Sequence, residues 1–272
     1  MRGRAFFGSR VVALVLAEDC VSPFTSWQAF EEFCREVRGR HRYVPSPTVR
    51  AFLEALTELC PDRTRFMRPD TNLWRAQLGC ALVPTHESAE VTVQSHRPHP
   101  PERMVPDRKH VRLGGRANPS GVAYLYMADT KETAIAEVRP WVGAWVTVAR
   151  FKARRELKIL DLESANPWDE VEAGEFKLQD DPPPEHVAAV VWLRINEAFS
   201  RPVAPSDTDL DYVPTQYIAE FVRELGFDGL LYKSALDGGS CVMLFNPADG
   251  TLEDRELVKI DSVEWKHRTI TP

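Results

Sequence analysis

An α+β fold is what this 272-residue sequence predicts. Short β-branched and aromatic runs are numerous, stretches of helical periodicity lie between them, and their order is irregular rather than a strict strand–helix alternation. The first part reads as helical. Ser26 or Thr25 can cap a helix with Trp27, Phe30, Phe33 and Val37 on one side, and Thr25 with Gln28 also fits a capping box. A second helix starts at Ser46 with Pro47 at its first position, carries Phe52, Leu53, Leu56 and Leu59, and stops at Pro61-Asp62. Residues 1–68 are therefore read as a helical N-terminal extension, either a docking arm or helices packed on the main domain at 69–272. Leu73 to Ala76 reads as a short strand. Residues 84–110, rich in Pro, His and Arg, read as a long polar loop. An apolar strand is expected from Val122 to Met127, then a helix capped by Asp129 with Glu132 in the capping-box position, ending at Pro140. Strands follow at Ala144 to Phe151 and Leu157 to Leu162, a polar loop from Glu163 to Pro184, and helices at His186 to Phe199 and Pro214 to Leu225, the last closed by Gly226. Asp228 to Lys233 and Cys241 to Phe245 form a strand pair around Gly238-Gly239, and Leu257 to Trp265 adds a last strand.

Composition narrows the function. A chain with 43% apolar and 27% charged residues can bury a sizeable core. Its formal charge of −6 argues against direct nucleic-acid binding, which needs a basic face. Five cysteines without CxxC spacing read as buried thiols in a reducing compartment, and the seven histidines do not cluster as metal ligands. The run Val11 to Ala17 imitates a signal peptide. It is short, however, follows Arg10 directly and precedes Glu18-Asp19 without a small-x-small site, so it reads as a buried strand or helix turn. No apolar stretch is long enough to span a membrane.

A few residues could do chemistry. Arg116 sits between Gly114-Gly115 and Pro119/Gly121, a tight exposed path from which an arginine can grip phosphate; it could equally be a surface arginine paired with a carboxylate. Arg75 lies among Leu73, Trp74, Ala76 and Leu78, so it needs a partner or a cleft, or else snorkels from an edge strand. Glu137 falls near a helix end, where the macrodipole disfavours a carboxylate and a cation such as Arg139 would compensate it; the other reading is an exposed helix glutamate. Tyr126 shares a strand face with Tyr124 and could stack on a flat ring or fill the core. Ser234 ends a strand without a GxSxG elbow or a nearby histidine, which disfavours a nucleophile and leaves an orienting serine or a turn serine. Neither a Walker lysine motif nor GxGxxG occurs.

Taken in order, three segments resemble the RES domain family: LWRAQLG from Leu73, GRANPSGVAYLYMADTKETAIAEVRP from Gly115, and DYVPTQYIAEFVRELGFDGLLYKSALDGGSCVMLF from Asp211. The resemblance spans Leu73 to Phe245 and leaves out the first helices, giving a helical extension at 1–68 and a RES domain at 69–272. It implies an ADP-ribosyltransferase-like mixed α/β core and a cytoplasmic toxin of a toxin–antitoxin pair, partnered by an Xre-like helix-turn-helix antitoxin. It also implies NAD+ as a substrate rather than a prosthetic group, cleaved at the nicotinamide–ribose bond with inorganic phosphate or water as acceptor. Matching positions make Arg75, Arg116, Tyr126, Glu137 and Ser234 the catalytic and NAD+-binding set. Glu137 would face the developing positive charge, Arg75 and Arg116 the phosphates, Tyr126 the nicotinamide, and Ser234 would orient Glu137 or the ribose. A mono-ADP-ribosyltransferase acting on a protein and a non-enzymatic nucleotide-sensing scaffold are the alternatives; self-association is left open.

Overall fold

The computed structural model describes residues 22–39, 42–86, 92–111, 113–163, 181–201, 209–264 and 269. The run at Val11 to Ala17, most of the loop from Glu163 to Pro184, and Trp265 lie outside them. In chain order the elements are α1 (Ala29–Gly39), α2 (Pro47–Leu59), β1 (Thr64–Met67), β2 (Asn72–Leu78), β3 (Ala81–His86), β4 (Thr92–Arg97), α3 (Pro101–Met104), β5 (Leu125–Ala128), α4 (Lys131–Glu137), β6 (Trp145–Ala153), β7 (Leu157–Asp161), α5 (Val187–Ser200), α6 (Asp209–Glu224), β8 (Gly229–Lys233), β9 (Ser240–Leu244) and β10 (Gly250–Lys259). The α+β expectation holds. Eight strands form a mixed sheet in the order β1-β7-β8-β9-β5-β2-β6-β10, in which β7 and β8 run parallel and the other neighbours antiparallel.

Strand alternation divides the core between the sheet's two faces. On β8 and β9, Leu230, Tyr232, Cys241 and Met243 join α1, α2, α5 and α6 on one face. Leu231, Val242 and Leu244 point the other way, into a cluster with Leu73, Ala149 and Phe151 of β2 and β6. One buried cluster therefore draws on both ends of the sheet. The halves β1-β7-β8-β9-β5 and β2-β6-β10 meet through a single residue pair, Trp74 opposite Ala128, whereas β2 pairs with β6 over seven residues.

The N-terminal helices are packed on this body. Phe33 is fully buried, stacks on Phe52 with centroids 4.5 Å apart, and meets Tyr217 of α6 edge-on at 5.7 Å. Ser46 caps α2 by accepting from the Val49 N–H at 3.3 Å, with Pro47 at the first helical position as expected. The expected boundary at 68/69 falls just after β1, an edge strand of the main sheet paired with β7, so sheet and core both cross it.

Several sequence expectations need correction. Residues 84–110 are not one long loop: β3 and β4 form a separate two-stranded ribbon, followed by α3 and a short 3-10 turn at Arg108–His110. Leu82 and Val83, neighbours on β3, are both exposed on the ribbon, so this apolar pair leaves no alternation to read. The cap of α4 is Thr130, whose Oγ1 accepts from the Thr133 N–H, while Asp129 accepts from the Ser240 N–H. The strand expected from Val122 begins at Leu125, α6 begins at Asp209 with Pro214 inside it, and the last strand runs from Gly250 to Lys259 rather than from Leu257. Gly226 takes the expected left-handed conformation, φ 79°.

Because α1 and α2 share the core, Phe33→Ala should lower the stability of the whole chain by about 3–5 kcal/mol, read as a shifted denaturant midpoint in one cooperative transition. An unchanged midpoint for the sheet would mean that the helices fold separately.

Candidate active site

The seam between β2 and β5 opens into a cavity of about 520 Å³. Continuing the register that sets Trp74 opposite Ala128 would set Ala76 opposite Tyr126, but the ladder has ended there. Instead, Arg75 Nη1 donates to the Tyr126 carbonyl at 2.9 Å, so a side chain takes over where the main-chain pairing stops. Burial pulls Arg75 down to about 10, which leaves it cationic at neutral pH. Its Nε has no hydrogen-bond partner among the described residues.

The Arg116 turn is fixed from two sides. Within it, the Gly115 N–H donates to Asn118 O at 2.8 Å, and a Cβ at Gly115 would fall 2.6 Å from Asn118 Oδ1, so any other residue would have to displace the Asn118 amide. The Tyr126 hydroxyl donates to Asn118 Oδ1 at 2.6 Å and accepts from the Ala117 N–H at 3.2 Å. Burial raises the pKa of that hydroxyl, which keeps it a neutral donor. From α6, Gln216 Nε2 donates to Gly115 O at 2.8 Å and to Asn118 O at 3.2 Å, and Thr215 Oγ1 donates to Arg116 O. Arg116 itself reaches across to α5, donating Nη1 to Ala198 O at 2.8 Å, near the helix C-terminus where a cation is favoured.

Glu137 is the last residue of α4 and lines the same cavity. Its Oε1 accepts from Ser234 Oγ at 2.6 Å. Ser234 is nearly fully buried, ties its own N–H to Gly239 O, and accepts from the Leu236 N–H at 3.2 Å, so the hydroxyl has little freedom. Burial raises the pKa of the Cys241 thiol on β9, and the hydrogen-bonded Glu137 carboxylate raises it further. Two residues beyond Glu137, Arg139 adopts φ 47°, a left-handed conformation that costs a non-glycine residue about 1–2 kcal/mol, and its side chain lines the cavity.

Arg75, Arg116, Tyr126 and Glu137 line one cavity, and Ser234 adjoins it through its bond to Glu137. Arg201 was not singled out from the sequence. It follows the last residue of α5 and precedes Pro202, which marks a helix end but not what the end faces. Trp74, Tyr232 and Cys241 also line the wall, and an alternating apolar run carries no sign of that. Four arginines and a single carboxylate make up the charged lining among the described residues, in a chain whose net charge is −6. Such a cavity suits a polyanion that develops positive charge at one carbon. Among the described residues no three His, Cys, Asp or Glu side chains group as metal ligands, and no helix is long and apolar enough to cross a membrane.

Gln216→Ala should loosen the Arg116 turn. Amide exchange at Gly115 is expected to rise at least tenfold, on the order of 1.4 kcal/mol of local stability, while α6 stays protected. Unchanged exchange at Gly115 would remove Gln216 as its support.

No curated protein matches the chain. Among solved structures, the MbcT–MbcA toxin–antitoxin complex of M. tuberculosis aligns with a TM-score of 0.40 and 15% identity, over 75% of this chain and 92% of that one. A family model described as the RES domain matches residues 73–265, which takes in all five of the expected site residues. The chain belongs to the RES domain family.

Proposed function

We propose that this chain is an NAD+-consuming enzyme that cleaves the nicotinamide–ribose bond, passes the ADP-ribosyl group to inorganic phosphate or water, and acts as the toxin of a toxin–antitoxin pair. The observation that carries the chemistry is Glu137, held by Ser234 at 2.6 Å on the wall of a cavity otherwise charged by arginines. Membership of the RES family supports the toxin role and an Xre-like helix-turn-helix antitoxin as its partner.

The reaction suits these groups. Nicotinamide leaves with the electron pair of the ribose C1″–N bond, which neutralises its ring. C1″ is left as an oxocarbenium-like centre, and a fixed carboxylate beside it lowers the barrier because the charge exists only in the transition state. Ser234 donates to Oε1 and so fixes the carboxylate that would face the reacting ribose. Arg75 and Arg116 hold the phosphates of the substrate. An arriving phosphate would use the same cationic wall, and its oxygen bonds C1″ to give ADP-ribose 1″-phosphate. With water the products are ADP-ribose and a proton. Tyr126 holds the Arg116 turn through its hydroxyl and presents its ring to the cavity wall.

Incubation with NAD+, with and without inorganic phosphate, followed by mass analysis of the products tests this reading. ADP-ribose 1″-phosphate formed only with phosphate identifies phosphorolysis, and ADP-ribose in both arms identifies hydrolysis. Intact NAD+ in both arms would overturn self-sufficient cleavage and favour transfer to a protein target or a binding role. Glu137→Gln should lower kcat on the order of 10²–10³-fold with NAD+ binding retained. Arg116→Ala should act mainly through KM, by about tenfold or more; normal kinetics in that variant would take Arg116 out of the site.

A further inference from the structure

Two helices of this fold end in the same way with different residues. At the end of α6, Gly226 donates its N–H to Arg223 O at 3.0 Å with φ 79°. At the end of α4, Arg139 donates its N–H to Ala136 O at 2.9 Å with φ 47°. Glycine is the ordinary residue for such a helix end, because it has no Cβ to crowd the neighbouring carbonyl. Among the described residues Asp70 is the other non-glycine with positive φ, and a short polar side chain tolerates that conformation. Pro140 restricts Arg139 further, since the residue before a proline is steered towards extended backbone. The chain thus keeps an arginine where glycine or asparagine would fit with less strain. Strain of this kind gathers at sites of function, and what Arg139 adds is a cation on the wall of the central cavity.

We propose that Arg139 seats the inorganic phosphate that accepts the ADP-ribosyl group, and so selects phosphorolysis over hydrolysis; this rests on the NAD+ reading of the cavity. Its place in the chain and its exposure carry the assignment. Arg139 follows Glu137 by two residues, so their Cα atoms lie within about 7 Å of each other. Both residues line the cavity. A cation anchored there is close to the carbon whose developing charge Glu137 faces, and that carbon is the one an incoming nucleophile must reach. Arg75 and Arg116 are half-buried and tied to main-chain carbonyls, which suits a substrate already bound. Arg139 is exposed, which suits an anion arriving from solution. The guanidinium fork can give a phosphate two parallel N–H donors and hold it near the reacting carbon.

Arg139→Gly and Arg139→Asn both fit left-handed backbone and remove the cation. Each should keep the parent's thermal midpoint or raise it. Calorimetric titration of the full chain with inorganic phosphate should show binding weakened at least about tenfold in each variant. In turnover, KM for phosphate should rise by a similar factor while KM for NAD+ changes by less than about twofold. The product should shift from ADP-ribose 1″-phosphate towards ADP-ribose. A rise in KM for NAD+ in place of phosphate would overturn the acceptor seat. Phosphate binding equal to the parent's in both variants would do the same, and so would a midpoint lowered in both, which marks a structural residue. NAD+ cleavage by a parent that binds no phosphate would overturn the seat and leave cleavage standing. Phosphate binding lost in both variants of a chain that leaves NAD+ intact would overturn the proposed reaction and leave the anion seat.

Discussion

The site depends on a place where hydrogen bonding between strands stops. β2 is fully paired to β6 on one side and touches β5 through one residue pair on the other. Two half-sheets that share a core but part along one edge leave backbone groups to satisfy and space to fill. Arg75 answers both needs, because its guanidinium takes the Tyr126 carbonyl and its charge sets the potential of the opening. A continuous ladder at this edge would close the cavity, so the chemistry of the site follows from an incomplete sheet.

Around that opening each candidate side chain is held by an element that has its own structural reason to be there. α6 carries Thr215 and Gln216 beneath the Arg116 turn, and the end of α5 gives Arg116 a carbonyl to rest on. The β8–β9 turn carries Ser234, whose own hydroxyl is oriented before it reaches Glu137. The carboxylate thus meets a preorganised donor, which is the arrangement that contributes most when charge appears transiently.

Much of this was legible in the sequence, for reasons that vary with the element. Ser46-Pro47 marks a helix start because cap and first-turn chemistry are local, and Gly226 marks a helix end because left-handed backbone favours glycine. Near Arg116, Gly121 is left-handed like Gly226 and Gly115 sits close against Asn118, both local signs of a constrained turn; that Gln216, a hundred residues later, braces it is a tertiary fact with no local sign. Arg75, Arg116, Tyr126 and Glu137 were singled out by type and neighbours, and the fold brings them to one cavity. Arg201 could not be found this way, since an arginine after a helix looks the same facing solvent or substrate. The ribbon of β3 and β4 was missed because its adjacent, exposed Leu82 and Val83 give no hydrophobic period to detect.

The Phe33–Tyr217 contact has a consequence for how this chain can be divided. Tyr217 follows Gln216 on α6, so the helix that braces the arginine turn is braced in turn by α1, which lies outside the residues matched by the family model. The recognisable module and the physical unit therefore have different borders. A segment transplanted at the family limits would carry all five candidate side chains and leave behind the scaffolding of one of them, so inheritance of the motif alone does not guarantee inheritance of the pocket's shape.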